Sequence, residues 1–241
     1  MQIYFIRHGQ SENNKLWTDI GNEKDRSEDP KLSELGTRQA ALLGEFLYSS
    51  DHESSLYLKQ DMHNVCGFGL THIYASLMWR AIQTASYTAE QYDLPIYGFE
   101  PIHEGGGIYL ENPTTGEKNG QPGKTPEQLK AGFPRLRLGK DVNPKGWWNR
   151  PYEAFENRVP RAKLALEWLL NKHSGQDDRI ALFSHGAFYN YFVSAMIGIS
   201  QRSSLWLDLN NCAISRFDVR PEGISLVYHN KVDYLPTDWV S

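Results

Sequence analysis

A short apolar run, Ile180–Phe183, constrains the fold of this chain more than any other sequence feature. The run has no polar interruption, which is the pattern of a strand buried on both faces of a parallel sheet. Ser184, His185 and Gly186 follow it directly, and the next segment, Ala187–Ile197, is predicted to be a helix. This order of strand, turn and helix predicts an α/β fold in which helices cover a sheet.

The same order of strand, turn and helix occurs elsewhere in the chain. Gln2–Ile6 is a β-rich run that ends at the turn Arg7-His8-Gly9, and Leu70–Ala75 leads through Ser76 into a helix predicted over Met78–Gln91. Further strands are predicted at Ile96–Phe99, Cys212–Val219 and Ile224–Tyr228, together with a helix capped by Ser33 and a short helix near Glu127. An amphipathic helix is predicted to start at Pro151, to carry apolar residues from Phe155 to Leu170 and to bend at Pro160.

Two segments lack an apolar period. Asn13–Pro30 is polar and charged, so we expect an exposed loop there. Gly105–Arg150 is too irregular to assign beyond one short helix, and we interpret it as a lid-like insertion. Its Trp147 and Trp148 either face a substrate or pack the insertion onto the body. The resulting prediction is a single domain over residues 1–241, a three-layer α/β sandwich with a mostly parallel sheet, helices on both faces and this insertion.

Composition excludes several classes of protein. The net charge is −4, whereas a general nucleic-acid binder is expected to carry excess positive charge. The apolar runs are far shorter than the ~20 residues that a membrane helix needs, and the chain enters a strand without a signal-peptide pattern. Cys66 and Cys212 are too few and too far apart for a disulfide framework. We therefore expect a cytoplasmic protein without nucleic-acid or membrane partners.

Basic and histidine residues lie where predicted strands end and helices begin. Arg7 and His8 follow the first strand, Arg80 falls in the first turn of a helix, and His185 follows the run at Ile180–Phe183. In open α/β sheets, ligands bind outside the carboxyl ends of the strands, so these side chains are expected to converge. A pocket with two guanidinium groups and two imidazoles favours phosphate, because planar guanidinium groups match phosphate oxygens.

Such a pocket also predicts a reaction. A neutral imidazole is a competent nucleophile, and flanking arginines stabilise the charge of a phosphoryl group during its transfer. The leaving oxygen needs a proton donor, for which Glu104 is the acid best placed in the sequence and His103 the fallback. Backbone N–H groups near Gly9 and near Ala187 are candidates for additional phosphate contacts.

Four motifs follow one another along the chain. They are, in order, Arg7-His8-Gly9-Gln10-Ser11-Glu12-Asn13-Asn14, then Leu32-Ser33 to Leu35-Gly36 with Gln39-Ala40, then Ala75-Ser76-Leu77 with Arg80-Ala81 and Gln83-Thr84-Ala85, and finally Ser184-His185-Gly186. Together they resemble the motifs of the histidine phosphatase superfamily, in the branch that looks like phosphoglycerate mutase. The resemblance runs from Gln2 to about Phe217, and Gly105–Arg150 is its least matched part.

The resemblance implies specific roles. His8 would be the nucleophile that becomes phosphorylated, and Glu104 would be the general acid and base. The other implied contacts to the phosphoryl group or its surroundings come from Arg7, Ser11, Asn14, Arg80, His185 and Gly186. Gln10 stands where many members of the family have Glu, which changes the hydrogen bonds expected around the first loop.

No metal or other cofactor is expected. The remaining histidines show no metal-ligand spacing, and the HExxH motif is absent; they are His52, His63, His72, His173 and His229. Phosphohistidine chemistry itself needs no metal ion.

The predicted activity is hydrolysis of a small phosphorylated substrate, with two alternatives left open. A bisphosphoglycerate-dependent mutase shares the phosphohistidine step, but mutases of this family carry a Trp-Arg-Arg stretch, and the nearest segment here is Gly146-Trp147-Trp148-Asn149-Arg150. A non-catalytic module that binds phosphorylated ligands would need the arginines but neither a nucleophile nor a proton donor. Substrate identity and oligomeric state remain open.

Overall fold

Nine strands and six helices occur in the part of the chain that the computed structural model describes, namely residues 1–21, 26–49, 61–173, 175–199 and 204–241. The strands are β1 (Gln2–Arg7), β2 (His72–Ala75), β3 (Ile96–Gly98), β4 (Tyr109–Glu111), β5 (Lys118–Gly120), β6 (Leu136–Arg137), β7 (Arg179–Ser184), β8 (Ile214–Arg220) and β9 (Gly223–Lys231). The helices are α1 (Glu12–Ile20), α2 (Glu34–Tyr48), α3 (Trp79–Tyr92), α4 (Pro126–Gly132), α5 (Arg158–His173) and α6 (Gly186–Met196).

The central sheet has seven strands in the order β6-β3-β2-β7-β1-β8-β9. The strands from β6 to β1 in that order run parallel, whereas β8 and β9 are antiparallel to their neighbours. α2 and α3 pack on one face of the sheet, and α5 and α6 pack on the other. The predicted α/β sandwich with a mostly parallel sheet is therefore confirmed.

Burial on both faces of the sheet accounts for the apolar sequences of β1 and β7. In β1, Ile3 and Phe5 pack against the side of α5 and α6, whereas Tyr4 and Ile6 pack against the side of α2 and α3. β7 pairs with β1 in parallel and alternates in the same way, so every position of Ile180–Phe183 is fully buried. A strand with both faces in the core needs apolar residues at consecutive positions, which is why these two runs were recognisable in the sequence.

The prediction of an exposed loop over Asn13–Pro30 is wrong in part. α1 occupies the first part of this segment and begins at an N-cap, Ser11, which forms a capping box with Asn14. None of the α1 residues is buried, so the helix has no apolar stripe to reveal it. At the other end, Asp29 and Pro30 are buried, and residues 22–25 lie outside the described residues.

The segment 105–150, predicted to be a lid-like insertion, contains β4, β5, α4 and β6. β4 and β5 form a separate two-stranded antiparallel sheet, whereas β6 pairs with β3 and extends the central sheet. Trp147 and Trp148 are buried in the core on the side of α2 and α3. The tryptophans thus pack this segment onto the body of the protein.

The start predicted for the amphipathic helix at Pro151 is also wrong. α5 begins at Arg158, after a single helical turn at Phe155–Asn157. Pro160 therefore lies in the first turn of α5, where the N–H groups lack intrahelical partners anyway. A proline at that position breaks no hydrogen bond within the helix, so the reason for the predicted bend at Pro160 is absent.

The first loop packs directly on the beginning of α2. A Cβ atom on Gly36 would lie 1.9 Å from the carbonyl oxygen of Gln10, so only glycine allows this approach. Ser33 N donates to that same carbonyl at 2.9 Å, and the Ser33 hydroxyl donates to Gln10 Oε1 at 2.7 Å. Gln10 therefore anchors the loop that follows His8 rather than entering the predicted pocket.

Candidate active site

The carboxyl ends of β1, β2 and β7 bring the predicted residues together. β1 and β7 are in parallel register, with Arg7 opposite Ser184, and β2 joins β7 with Ala75 opposite Phe183. His8 and His185 therefore leave adjacent strands at the same edge, and their ring centroids are 5.1 Å apart. The expected convergence at this end of the sheet is present.

His8 is held in one tautomer by its own loop. Its Nδ1 atom lies 2.7 Å from the carbonyl oxygen of Gly9, which can only accept, so Nδ1 carries the proton. Nε2 is then the atom with the free electron pair, and it accepts a hydrogen bond from Arg80 Nε at 3.1 Å. Burial, followed by the charges of Arg80 and Arg7, holds the pKa of His8 well below 6.5. The ring is thus neutral at physiological pH.

His185 lies fully buried beside His8. Its Nε2 atom is 2.9 Å from the hydroxyl of Ser76, which also accepts from Met78 N at 3.3 Å. That hydroxyl can either donate to Nε2 or accept from it, and Nδ1 is a buried atom without a partner among the described residues. Burial and the nearby Arg80 lower the pKa of His185 well below 6.5.

Two arginines supply the positive charge of the site. Arg7 donates through Nη1 to the carbonyl of Leu209, and its buried Nε has no partner among the described residues. Arg80 is 9% exposed and, besides His8, faces the carboxylate of Asp29 with Nη1 and Oδ1 4.0 Å apart. Burial raises the pKa of Asp29 to about 6, against the opposing effect of Arg80. A carboxyl group with this pKa is still mostly ionised at pH 7, so Asp29 largely balances the charge of Arg80 when no ligand is bound.

The carboxylate of Glu104, from the loop after β3, lies at the first turn of α6. Its Oε1 atom accepts from Gly105 N at 2.8 Å and from Phe188 N at 3.0 Å, and Oε2 accepts from Ala187 N at 3.2 Å. The N-terminal end of a helix favours a carboxylate because its N–H groups point outward. The carboxyl group is thereby held at the wall of the cavity that contains His8.

Backbone donors that we predicted for phosphate have other partners. The N–H of Gly9 donates to the Thr84 hydroxyl at 3.0 Å, and the N–H of Ala187 donates to Glu104. Gly186 instead lies against the guanidinium group of Arg7, since a Cβ atom built on it would be 3.5 Å from Arg7 Nε. Side-chain donors such as those of Arg7 and Arg80 are therefore better placed to bind a phosphate than these N–H groups.

Ser11 and Asn14 face the cavity from the start of α1. The amide oxygen of Asn14 accepts from Ser11 N at 3.1 Å, from the Ser11 hydroxyl at 3.0 Å and from Asn211 Nδ2 at 3.3 Å. Because its oxygen is used in this way, Asn14 has its NH₂ group left for a ligand. Asn211 also donates to the carbonyl of His8 at 2.9 Å, and so connects the two segments.

A cavity of about 400 Å³ opens above these residues. Of the predicted residues, all of which the structure describes, Arg7, His8, Ser11, Asn14, Arg80 and Glu104 line it, whereas His185 and Gly186 do not. His103, the fallback acid, does not line it either: its ring packs on Trp148 at 4.6 Å, and Nδ1 donates to the carbonyl of Glu104 at 2.8 Å.

The outer wall contains residues that sequence reasoning missed. Arg26 lies over the Tyr109 ring at 4.5 Å and donates to its hydroxyl at 2.8 Å. Arg158 donates to the hydroxyls of Tyr191 and Tyr152 at 3.0 and 2.7 Å. These residues come from separate segments, and the sequence carries no signal that they meet. The part of the cavity wall formed by Arg26, Tyr109 and Arg158 is thus cationic and aromatic, which suits a ligand with negative charge.

Three comparisons with known proteins bear on this site. A family model described as histidine phosphatase superfamily (branch 1) matches residues 3–57 and 62–232. Among curated proteins, the chain is similar to a probable phosphoglycerate mutase, GpmB, of Yersinia pestis, with 26% identity over 218 residues, which is 90% of this chain and 85% of that protein.

Solved structures share the fold at lower identity. A mutant phosphoserine phosphatase from Entamoeba histolytica in complex with phosphoserine has 19% identity and a TM-score of 0.55, covering 98% of this chain and 99% of that one. The ecdysone phosphate phosphatase from Bombix mori in complex with tungstate has 17% identity and a TM-score of 0.62, covering 94% and 92%. Mycobacterial glucosyl-3-phosphoglycerate phosphatase has 18% identity and a TM-score of 0.59, covering 96% and 99%.

Among the described residues, no helix has both the length and the apolar character needed to cross a bilayer.

Proposed function

The chain belongs to the histidine phosphatase superfamily (branch 1), and we propose that it is a metal-independent phosphomonoesterase that acts through a phosphohistidine on His8. The family and the structural neighbours support an enzyme of the phosphatase or mutase type. The observation that supports the proposal most is the tautomer of His8, whose neutral ring directs Nε2 toward Arg80. The proposed substrate is small and phosphorylated, and the proposed location is the cytoplasm, without nucleic-acid or membrane partners.

In the first step, Nε2 of His8 attacks the phosphorus atom, and the bond between phosphorus and the substrate oxygen breaks. Arg7, Arg80 and His185 stabilise the charge on the phosphoryl oxygens, while Glu104 in its protonated form gives its proton to the leaving alcohol. Ser11, Asn14 and Gly186 are proposed to complete the surroundings of the phosphoryl group.

In the second step, water attacks the phosphohistidine. Glu104, now a carboxylate, removes a proton from that water, the bond between phosphorus and Nε2 breaks, and inorganic phosphate leaves. The same residue thus acts first as acid and then as base, and the cycle restores neutral His8.

A mutase is the second candidate because of the similarity to the probable phosphoglycerate mutase. We favour hydrolysis, because the basic residue of the segment nearest to the mutase stretch is used elsewhere. Arg150 pairs with Glu100 at 2.7 Å and lies over the Trp148 ring at 3.9 Å, outside the walls of the cavity. A module that only binds phosphorylated ligands would have no use for Glu104 beside a neutral histidine.

The test is phosphate release from a panel of phosphorylated sugars, glycerates, nucleotides and amino acids in the presence of EDTA. The His8→Ala variant should lose at least about 10⁴-fold in kcat/KM, since removal of a nucleophile abolishes the covalent route. The matched control is His63→Ala, which removes an exposed histidine and should retain activity.

Equal phosphate release by wild type and His8→Ala would overturn the proposal. A labelled phosphoryl group from the substrate should also remain on the wild-type protein after an acid-free quench and be absent from His8→Ala. If isomerised phosphoglycerate forms with bisphosphoglycerate while water gives no product, the protein is a mutase instead.

A further inference from the structure

A second cluster of histidines lies at the opposite end of the parallel strands. His72 is the first residue of β2, His173 is the last residue of α5, and Asp178 immediately precedes β7. β2 and β7 are neighbours, with His72 paired to Ile180, so their amino ends lie side by side. His72 is about a hundred residues from His173 and Asp178 in the sequence, which is why the spacing of the histidines predicted no metal site.

The donor atoms of this cluster are close together. His173 Nδ1 lies 2.7 Å from Asp178 Oδ2, His72 Nδ1 lies 3.7 Å from Asp178 Oδ1, and one donor atom from each residue fits within 4.8 Å of the other two. Bonds of about 2.0–2.2 Å in tetrahedral geometry place donor atoms about 3.3–3.6 Å apart. The distance from His72 to Asp178 is already close to this range, whereas His173 and the Asp178 carboxylate would have to move apart by about 0.6 Å to admit the ion.

The surroundings hold the buried ligand in place. Tyr74, which is 2% exposed, has its hydroxyl 3.0 Å from His173 Nε2. Metal-binding imidazoles commonly donate their other N–H to a fixed acceptor, which orients the ring. With Nδ1 on a metal ion, the proton of His173 would sit on Nε2 and be donated to the Tyr74 oxygen. Lys172, the neighbouring cation, lies over the Trp168 ring at 4.7 Å.

We propose that His72, His173 and Asp178 bind one divalent transition-metal ion of the zinc class. Two imidazole nitrogens and one carboxylate oxygen are the donors that zinc and its neighbours prefer, whereas magnesium and calcium prefer oxygen alone. Three protein ligands leave one position for water. The ion would link the end of α5 to the amino ends of β2 and β7, and so act as a structural clamp. It lies at the end of the sheet away from His8, and the phosphatase reaction does not require it.

The experiment is titration of the metal-free full-length protein with Zn²⁺, followed by calorimetry and thermal unfolding. Wild type should bind one equivalent and unfold at a higher temperature when it is loaded. His72→Gln should bind at least tenfold more weakly, since even changes next to a metal ligand cost about 10- to 100-fold. His72 is partly exposed, so this variant is expected to fold, which circular dichroism checks.

Two control variants separate this site from other histidines. His8→Ala removes a histidine from the catalytic cavity and should bind Zn²⁺ as wild type does, and so should His63→Gln at the surface. Co²⁺ in place of Zn²⁺ should give visible absorption bands of a tetrahedral site in wild type and in His8→Ala but not in His72→Gln.

Absence of stoichiometric Zn²⁺ binding would overturn the proposal, and the cluster would then be a hydrogen-bonded anchor between α5 and β7. Equal binding by wild type and His72→Gln would overturn it as well, and loss of binding in His8→Ala would place the ion in the catalytic cavity. None of these outcomes depends on phosphatase activity.

Discussion

Two pairs of histidines lie at opposite ends of the same parallel strands, and they differ in the charges around them. At the carboxyl ends, His8 and His185 are accompanied by Arg7 and Arg80. At the amino ends, His72 and His173 are accompanied by the carboxylate of Asp178. The side chain is the same at both ends, so the neighbouring charge determines whether the site favours an anion or a cation.

Burial sets His72 apart from the other three histidines, since His173 is only 2% exposed. His8 and His185 are 3% and 0% exposed, and burial is the largest cause of their lowered pKa values. His72 keeps 30% of its side chain exposed. A histidine that is buried among cations stays neutral and remains available as a nucleophile. A partly exposed histidine beside a carboxylate, such as His72, is accessible to cations from solvent.

After the loss of the nucleophile in His8→Ala, the largest effect is expected from removing the positive charge at the carboxyl end. Arg80→Met should lower kcat/KM for phosphate release by about 10²- to 10³-fold, because a fixed donor to the developing charge is lost. The matched control, Arg135→Met, removes an exposed arginine that pairs with Asp93 and should keep its activity. Steady-state kinetics on the best substrate of the panel measure both.

Arg80→Met also leaves Asp29 buried without its cationic neighbour, with only the N–H of Trp79 donating to Oδ1 at 3.0 Å. The double variant Arg80→Met with Asp29→Asn should therefore regain stability but not activity. Recovery of activity in the double variant would mean that Arg80 acts only by neutralising Asp29, and the catalytic role would be wrong.

The next effect is a loss of stability in mild acid. His8, His103 and His185 have pKa values well below 6.5 when folded, so below pH 6.5 the unfolded chain binds protons that the folded protein does not. Each contributes stability that is present above 6.5 and decreases as the pH falls. Asp29, with its pKa raised to about 6, has the opposite sign between about pH 6 and 4.

The free energy of unfolding should therefore decrease between pH 6.5 and 5, because three histidines with lowered pKa values outweigh the single carboxyl group of opposite sign. Urea unfolding at pH 7, 6 and 5 measures it. His72 has a smaller shift and a more exposed ring, so His72→Gln should leave this decrease nearly unchanged. A free energy of unfolding that stays constant from pH 6.5 to 5 would show that the carboxyl-end histidines are not held neutral.

The smallest effect concerns coupling between the two ends. Asp178→Asn weakens the hydrogen bond from His173 and should cost about 1–3 kcal/mol of stability. Along β2 the two clusters are separated by about 10 Å or more, so the costs of Asp178→Asn and His8→Ala should add within about 0.5 kcal/mol. A double-mutant cycle of unfolding free energies gives this number, and a larger coupling would show that the two ends communicate.

Secondary structure was predicted correctly where the local residue pattern depends directly on burial or on helix capping. Continuous apolar runs identified β1 and β7, and Ser33 identified the start of α2, where its hydroxyl accepts from Gly36 N. The prediction failed at α1, because a helix with no buried residue carries no apolar period. Ser11 followed three residues later by Asn14 was the available signal, and it describes a capping box.

The residues of the candidate site likewise fall into those that the sequence could predict and those that it could not. The residues from Arg7 to Asn14, Arg80 and His185 belong to strand ends and helix starts, so their meeting follows from the parallel order of the strands. Arg26, Tyr109 and Arg158 come from a loop, a small separate sheet and a helix start. Their contacts depend on how these segments pack, which no local pattern encodes.

By itself, the sequence determined the buried strands, the helices that cover them and the chemical groups that follow each strand, because these depend on neighbours along the chain. Only the tertiary structure decided which charges surround each histidine. It placed Arg80 against His8 and His72 beside Asp178, contacts that join residues far apart in the chain, and it directed His173 toward Asp178. Since the charge of a partner, rather than the imidazole itself, determines which ligand a histidine site favours, the metal site proposed at His72 and His173 depended on the alignment of the strands, whereas the role proposed for His8 followed from its motif.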